Sequence, residues 1–561
     1  MTPPFCLPGE VHAWQRIRRY AVPRWMIRQA TERRAAGDWR GACAAAGVDV
    51  AFDLGDIAAR YGAQAAAAIE DDLVNLVPDL LRWHLPRVQC GRTTIRPGET
   101  VLLSDLVGGA PRATAGEPRP VSPAGPWLHI APLERADGPQ RLTLAFGPVD
   151  LRQNHQDWTG MRHLWDARRT GELLERCGGS TRAPFFHADG TPLTVEELPS
   201  GSSSDQARNT EWVTLLRERG EIEAACAAAG IKLDFTPPEE KCWYSSTVTE
   251  VLAVTPLAMT RLAEEMRLAG HGTVFIPYDG CYRLRVETGH DGARVRLVNT
   301  VREKTAECLP VLAEARWRRL PDLDLLRTGR MDPDALHPLV HAAFFPAAPV
   351  PSQGPPEAAE PAPFRVRCRG EWHLVGPGPS IPHDEAECRR ERALGAFGGA
   401  VAGCVAAKDA WTSGTGRLPK ALREQRRELF LRAQHGDTPG VLRLLDAGFD
   451  TRVRDGGRRT LLHVLHLLDH EPLLPRLLAA GLDLEATDHH ERTPLHVAVG
   501  DGGSEALVRA LLDAGARVDV VDYGGRSLRN MIHDYRRTDL AFLAEMVTPG
   551  IGRPDREKKD G

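Results

Sequence analysis

Thr493-Pro-Leu-His496, with Asp488-His-His-Glu-Arg492 before it and Leu507-Val-Arg-Ala-Leu-Leu-Asp-Ala-Gly515 after it, is the stretch that decides the fold of the C-terminal region. Its parts recur. Thr460-Leu-Leu-His463 precedes it by 33 positions (493 minus 460), and Leu444-Leu-Asp-Ala-Gly448 and Leu477-Leu-Ala-Ala-Gly481 anticipate Leu511-Leu-Asp-Ala-Gly515. A period of this size marks units that bury their apolar faces only against one another. Pro494 suits the first turn of a helix, Thr493 is placed to cap its free amides, and Gly515 ends the second helix in a left-handed turn. Leu495, Leu511 and Leu512 supply the apolar faces.

These motifs resemble the ankyrin repeat, and the resemblance covers residues 421–548. It implies an all-α solenoid that binds other proteins through its hairpin tips and the inner helices, with no catalytic machinery of its own. The tips would present Asp455, Arg458, His489, His490, Glu491 and Tyr523, a mixed-charge surface suited to a folded, polar partner. The same resemblance makes His463 and His496 structural, their rings bonded to loop backbone. Leu429–Asp450 keeps Ala433-x-x-Gly436 but lacks the Thr-Pro-Leu-His entry, and reads as an N-terminal cap. The second unit has Leu461 where the family prefers Pro, His466 for a small residue, and Pro472 and Pro475 in its second helix. From Asp522 the motif fades into a C-terminal cap. So short an array is expected to lean on the helix before it, and either recruits a partner or caps its own chain.

Outward from the repeats, Ala393 to Ala407 is a run of small apolar residues with Gly395, Gly399 and Gly403 at four-residue spacing. At 1.5 Å per residue it reaches only about 22 Å, short of a bilayer core, so one closely packed helix is expected rather than a membrane span. A hairpin over Phe364 to Leu374 precedes it. Pro111–Pro126, Pro199–Gln206 and Pro346–Pro363 read as linkers. Across the second of these runs an internal echo: Arg34 to Phe52 and Arg217 to Phe235 both give an Ala-rich helix, a glycine stop (Gly47, Gly230) and a short strand. Two copies of one module and coincidence in an Ala-rich chain both account for it. Hairpins follow at Trp127–Ile130 with Leu142–Phe146, and at Tyr282–Glu287 with Val295–Val298; helices are expected over 157–176, 260–268 and 301–319. The fold class is therefore multidomain α+β with a C-terminal all-α repeat solenoid. Its parts are a first module at 1–198, a second at 207–345, a Pro-rich linker at 346–363, a hairpin plus glycine-ladder helix at 364–420, and the repeats with their caps at 421–548.

The whole chain has 561 residues, 71 basic and 75 acidic side chains and a net charge of -4. That excludes a global polycation, and no nucleic-acid partner is expected. Between Trp14 and Arg34, however, arginines alternate with Trp14, Tyr20 and Trp25, a surface read as facing a partner or pairing with acidic stretches such as Glu211–Glu223. Eleven cysteines without a Cys-x-x-Cys pair suggest free thiols and a cytoplasmic location, and the N-terminus lacks an apolar signal segment. No phosphate loop, zinc-protease helix, nucleophile elbow or dinucleotide fingerprint is present. His466 and His470, one helical turn apart, lack further ligands, and no metal or cofactor is expected. His155, Asp157, His163, Asp166 and Cys177 invite a hydrolase reading, but Cys177 falls at the end of the expected helix, where a thiolate is disfavoured. No catalytic residue is therefore assigned. The expected function is protein binding or scaffolding through the repeats, with an enzyme of unknown class in residues 1–345, targeted by them, as the alternative.

Overall fold

Gly47 (φ 66°) and Gly230 (φ 72°) each end a short helix in the left-handed region, where a side chain would be strained, and send the chain into a strand. In the computed structural model the described residues are 10–88, 91–105, 125–238, 244–289, 292–299, 310–349, 355, 357, 362–376, 381–397 and 403–554. They belong to two compact units, Met1–Ala136 with Arg141–Pro356, and Asp137–Gln140 with Glu357–Gly561.

In the first unit, β1 (Val48–Val50), β2 (Thr100–Asp105), β3 (Pro126–Ile130), β4 (Leu142–Pro148) and β5 (His155–Asp157) form a sheet of order β1-β4-β3-β2-β5. β1 lies parallel to β4, and β4, β3 and β2 are successively antiparallel. A second sheet holds β6 (Ile231–Asp234), β7 (Thr273–Pro277), β8 (Tyr282–Gly289) and β9 (Gly292–Asn299) in the order β6-β9-β8-β7, again with one parallel pair followed by two antiparallel pairs. The echoed segments thus enter equivalent edge strands of two sheets with the same order and sense. β5 lies parallel to β2 at the far edge of the first sheet, and at the corresponding edge of the second Val311 makes a single parallel bridge to Phe275 of β7.

The second module has a core of its own, from Val213 to Trp317, but its tail enters the core of the first. Leu325, Leu336, Val340 and Phe344, from the tail of the second, are buried with Ile17, Leu73, Leu80 and Trp165 of the first. The apolar faces of the helices Pro321–Arg327 and Pro338–Phe344 supply Leu325, Val340 and Phe344. Arg18, 3% exposed, donates from Nε and Nη2 to the fully buried Asp322 (2.8 and 2.7 Å) and stacks 4.4 Å from the Trp83 ring. This arginine of the basic N-terminal segment is therefore matched by Asp322, whereas Glu211 binds Arg182 and Glu218 binds Arg327. Nor is 157–176 one helix. Asp157 folds back to accept from the Thr159 amide and hydroxyl, and only short turns and Leu173–Arg176 are helical. Of 301–319, Glu314–Trp317 is helical, and residues 301–309 lie outside the described residues. The linker residues 111–124, and most of 346–363, also lie outside them.

The second unit opens with the hairpin β10 (Phe364–Cys368) and β11 (Glu371–Val375). Its two-residue turn, Arg369 and Gly370, takes φ of 51° and 94°, the sense that matches strand twist. The glycine-ladder helix is not continuous: one helix spans Glu385–Ala396 and another begins at Gly403 and runs to Ser413, while Gly399 lies outside the described residues. Gly403 breaks the ladder because it sits at φ 65°. No helix among the described residues is long and apolar enough to cross a membrane. Four helix pairs follow: Lys420–Gln434 with Thr438–Asp446, Leu462–Leu467 with His470–Ala479, Pro494–Gly500 with Glu505–Asp513, and Leu528–Asp534 with Ala541–Met546. Leu462–Leu467 is a 3-10 turn where the third pair has an α-helix opened by Pro494. One apolar core runs from Ala407 to Val547 through all four pairs, and it includes Trp411 from the preceding helix, stacked 5.1 Å from Phe449.

Candidate functional site

The turns between helix pairs are built alike. Asp455 accepts from the amide of Arg459 (2.9 Å) and from its Nε (2.7 Å); Asp488 does the same with Arg492 (3.0 and 2.9 Å), and Asp522 with Arg526 (2.8 and 2.9 Å). Burial alone would raise the Asp488 carboxyl, but the Arg492 amide and guanidinium outweigh it and hold the group below its ordinary value. This Asp-x-x-x-Arg recurrence is visible in the sequence and was not used there. Asp455 is thereby bonded within its own turn.

The remaining tip residues are exposed: Arg458, His489, His490, Glu491, and Tyr523 at 78%. Arg458 and Glu491 hold left-handed backbone (φ 63° and 59°) at the apex of their turns. Successive tips are tied by main chain, the His489 amide donating to Gly457 O (3.0 Å) and the Tyr523 amide to His490 O (2.9 Å). The rings of His489 and His490 lie 3.6 Å apart between centroids. Arg458, His489, His490, Glu491 and Tyr523 therefore form one row on a braced backbone.

Beneath the row, His463 Nδ1 accepts from the Thr460 amide (3.1 Å), Nε2 contacts Arg492 O (3.0 Å), and His496 Nδ1 accepts from the Thr493 amide (3.3 Å). Burial lowers both rings to about 4, so they are neutral at pH 7. The geometry gives both a structural part in the turns. Residues 429–522 match the family model for ankyrin repeats, in three copies. The ankyrin match takes in the Leu429–Asp450 unit and ends at Asp522, the residue that opens the last turn. No curated protein matches the chain.

Elsewhere the candidate groups part company. His466 and His470 fall on different elements, and His466 Nδ1 contacts His463 O (3.0 Å). In the first unit, Asp166 is bound by Arg162 and Arg168, His163 is buried with its basicity lowered by that burial, and burial pushes the Cys177 thiol up to about 12. Cys177 lines a small cleft together with Arg176, Arg217, Arg261, Arg319 and Arg327. Cys43, Cys177, Cys226, Cys368, Cys388 and Cys404 are free thiols, but Cys281 is disulfide-bonded, against the expectation of free thiols throughout.

Four side chains that the sequence reading left without a metal role do converge. Cys368 on β10, His373 on β11, His383 before the helix Glu385–Ala396, and Cys404 in the first turn of Gly403–Ser413 hold their ligand atoms within 4.8 Å of one another. The gaps of 4, 9 and 20 residues between them match no short motif. The available signal was the hairpin: period-two alternation across a two-residue turn places Cys368 and His373 on one face.

Proposed function

We propose that the ankyrin repeats bind a folded protein partner through the row Arg458, His489, His490, Glu491 and Tyr523 and the adjoining inner helices, stacked as a short solenoid. The observation that carries this reading is the row itself. It offers an exposed tyrosine, two imidazoles and both signs of charge on a backbone already braced by three Asp–Arg turns, so binding costs little further ordering. The test is affinity capture by the full chain and by a variant carrying H489A, H490A, E491A and Y523A. Loss of the captured partner supports the reading, and an unchanged set of partners refutes it.

A second reading, an enzyme within residues 1–345 carried to its target by the repeats, draws on the cleft at Cys177, whose arginines Arg176, Arg261, Arg319 and Arg327 are paired with carboxylates. A cytoplasmic location is favoured by the free thiols and opposed by the bonded Cys281.

A further inference from the structure

We propose that Cys368, His373, His383 and Cys404 form a closed structural Zn²⁺ site that staples the β10–β11 hairpin to the helix Gly403–Ser413. Three of the six separations between ligand atoms are close to a tetrahedron's edges, and all six are within 4.8 Å. His373 Nδ1 and His383 Nε2 lie 3.1 Å apart, Cys368 Sγ lies 3.5 Å from His383 Nε2, and Cys404 Sγ lies 3.5 Å from His373 Nδ1. Zinc bond lengths to nitrogen and sulfur require edges of ~3.3 Å for N to N and ~3.6 Å for S to N. Two thiols and two imidazoles make a borderline-soft donor set suited to Zn²⁺, and four protein ligands leave no position open for a substrate.

The surroundings fit a ligand set rather than a chance meeting. His383 directs Nε2 into the cluster, and its Nδ1 meets Glu387 Oε2 at 3.1 Å, the carboxylate contact that fixes the tautomer of a metal-bound imidazole. Cys404 sits in the first turn of an eleven-residue helix, which fixes its direction toward the hairpin's Cys368 and His373. Gly403 is required beside it: a Cβ there would stand 2.7 Å from Cys368 Sγ and 2.8 Å from Cys368 Cα. The small size of the local core points the same way. It comprises Val366, Cys368, Val375 and Cys404, flanked by Phe364 and Ile381, too little buried apolar surface to order a hairpin and two helix ends without a staple.

The test uses the full chain, purified without chelator and exposed to Zn²⁺ alone. One zinc per chain, with two sulfur and two nitrogen neighbours by X-ray absorption, is the expected result, and the paired C368S and C404S substitutions should abolish it. E387Q, which leaves all four ligands in place, should weaken zinc about 10- to 100-fold in competition with a chromogenic chelator. H489A, remote in sequence from all four ligands, should bind zinc as the parent does. Substoichiometric zinc in the folded full chain, oxygen ligation, or a Cys368–Cys404 disulfide in protein purified under reducing conditions would each overturn the site. The spectroscopy is done on the unsubstituted chain, so failure of a cysteine variant to fold does not blunt the test.

Discussion

The ankyrin repeats and the segment from Phe364 to Ser413 lie in the same unit, yet they are held by different means. The repeats share one apolar core through four helix pairs, and each turn repeats the same Asp–Arg lock. The preceding segment buries only a handful of apolar side chains and gathers two thiols and two imidazoles in their place. Periodic sequence can build a core by repetition, whereas a short aperiodic segment must find a few strong contacts instead. The helix Gly403–Ser413 takes part in both, with Cys404 at one end and Trp411 at the other.

The largest effect expected in the repeats is that of acid. His463 and His496 are neutral in the fold, with basicity lowered to about 4, and ordinary imidazoles in the unfolded chain bind protons near pH 6.5. Below that pH the unfolded state holds more protons, so stability is complete above pH 6.5 and is lost as pH falls toward 4, by about 3 kcal/mol per histidine. Thermal unfolding of the full chain between pH 7 and 4, with H463Q and H496Q flattening the dependence, checks this. W411A should come next, costing about 3–5 kcal/mol because a large side chain is removed from a fully buried position. Its damage should appear in the first two helix pairs and leave Pro494–Asp513 protected from exchange. Smallest is D488A, which strips the acceptor from the His490 and Arg492 amides and should cost about 1–3 kcal/mol, seen as faster exchange at that one turn.

The same contrast explains what could be read in advance. Thr493-Pro-Leu-His496 and the Leu-Leu-Asp-Ala-Gly tails report structure within a few residues of themselves, so the helix pairs, their capping threonines and the buried histidines were legible. The tips were legible as positions, and the bonds that hold Asp455 to Arg459 become apparent once the three turns are laid side by side. The metal-ligand set was hidden because its four members come from two strands and two helix starts, brought together by packing and not by spacing. The insertion of Leu325, Val340 and Phe344 into the first core, and the pairing of Arg18 with Asp322, likewise depend on contacts hundreds of residues apart. The 33-residue step (493 minus 460) was visible because it is one-dimensional. The shared order of the two sheets appeared in sequence through its first helix, glycine and strand and through the hairpins that became β3–β4 and β8–β9.

Hydrogen exchange of the zinc-loaded full chain, read peptide by peptide before and after a strong chelator, tests the distinction most directly. Protection should collapse over 364–375, 385–397 and 403–407 and persist through the repeat helices of 429–522. Unchanged protection in the hairpin, or simultaneous loss across hairpin and repeats, would contradict it.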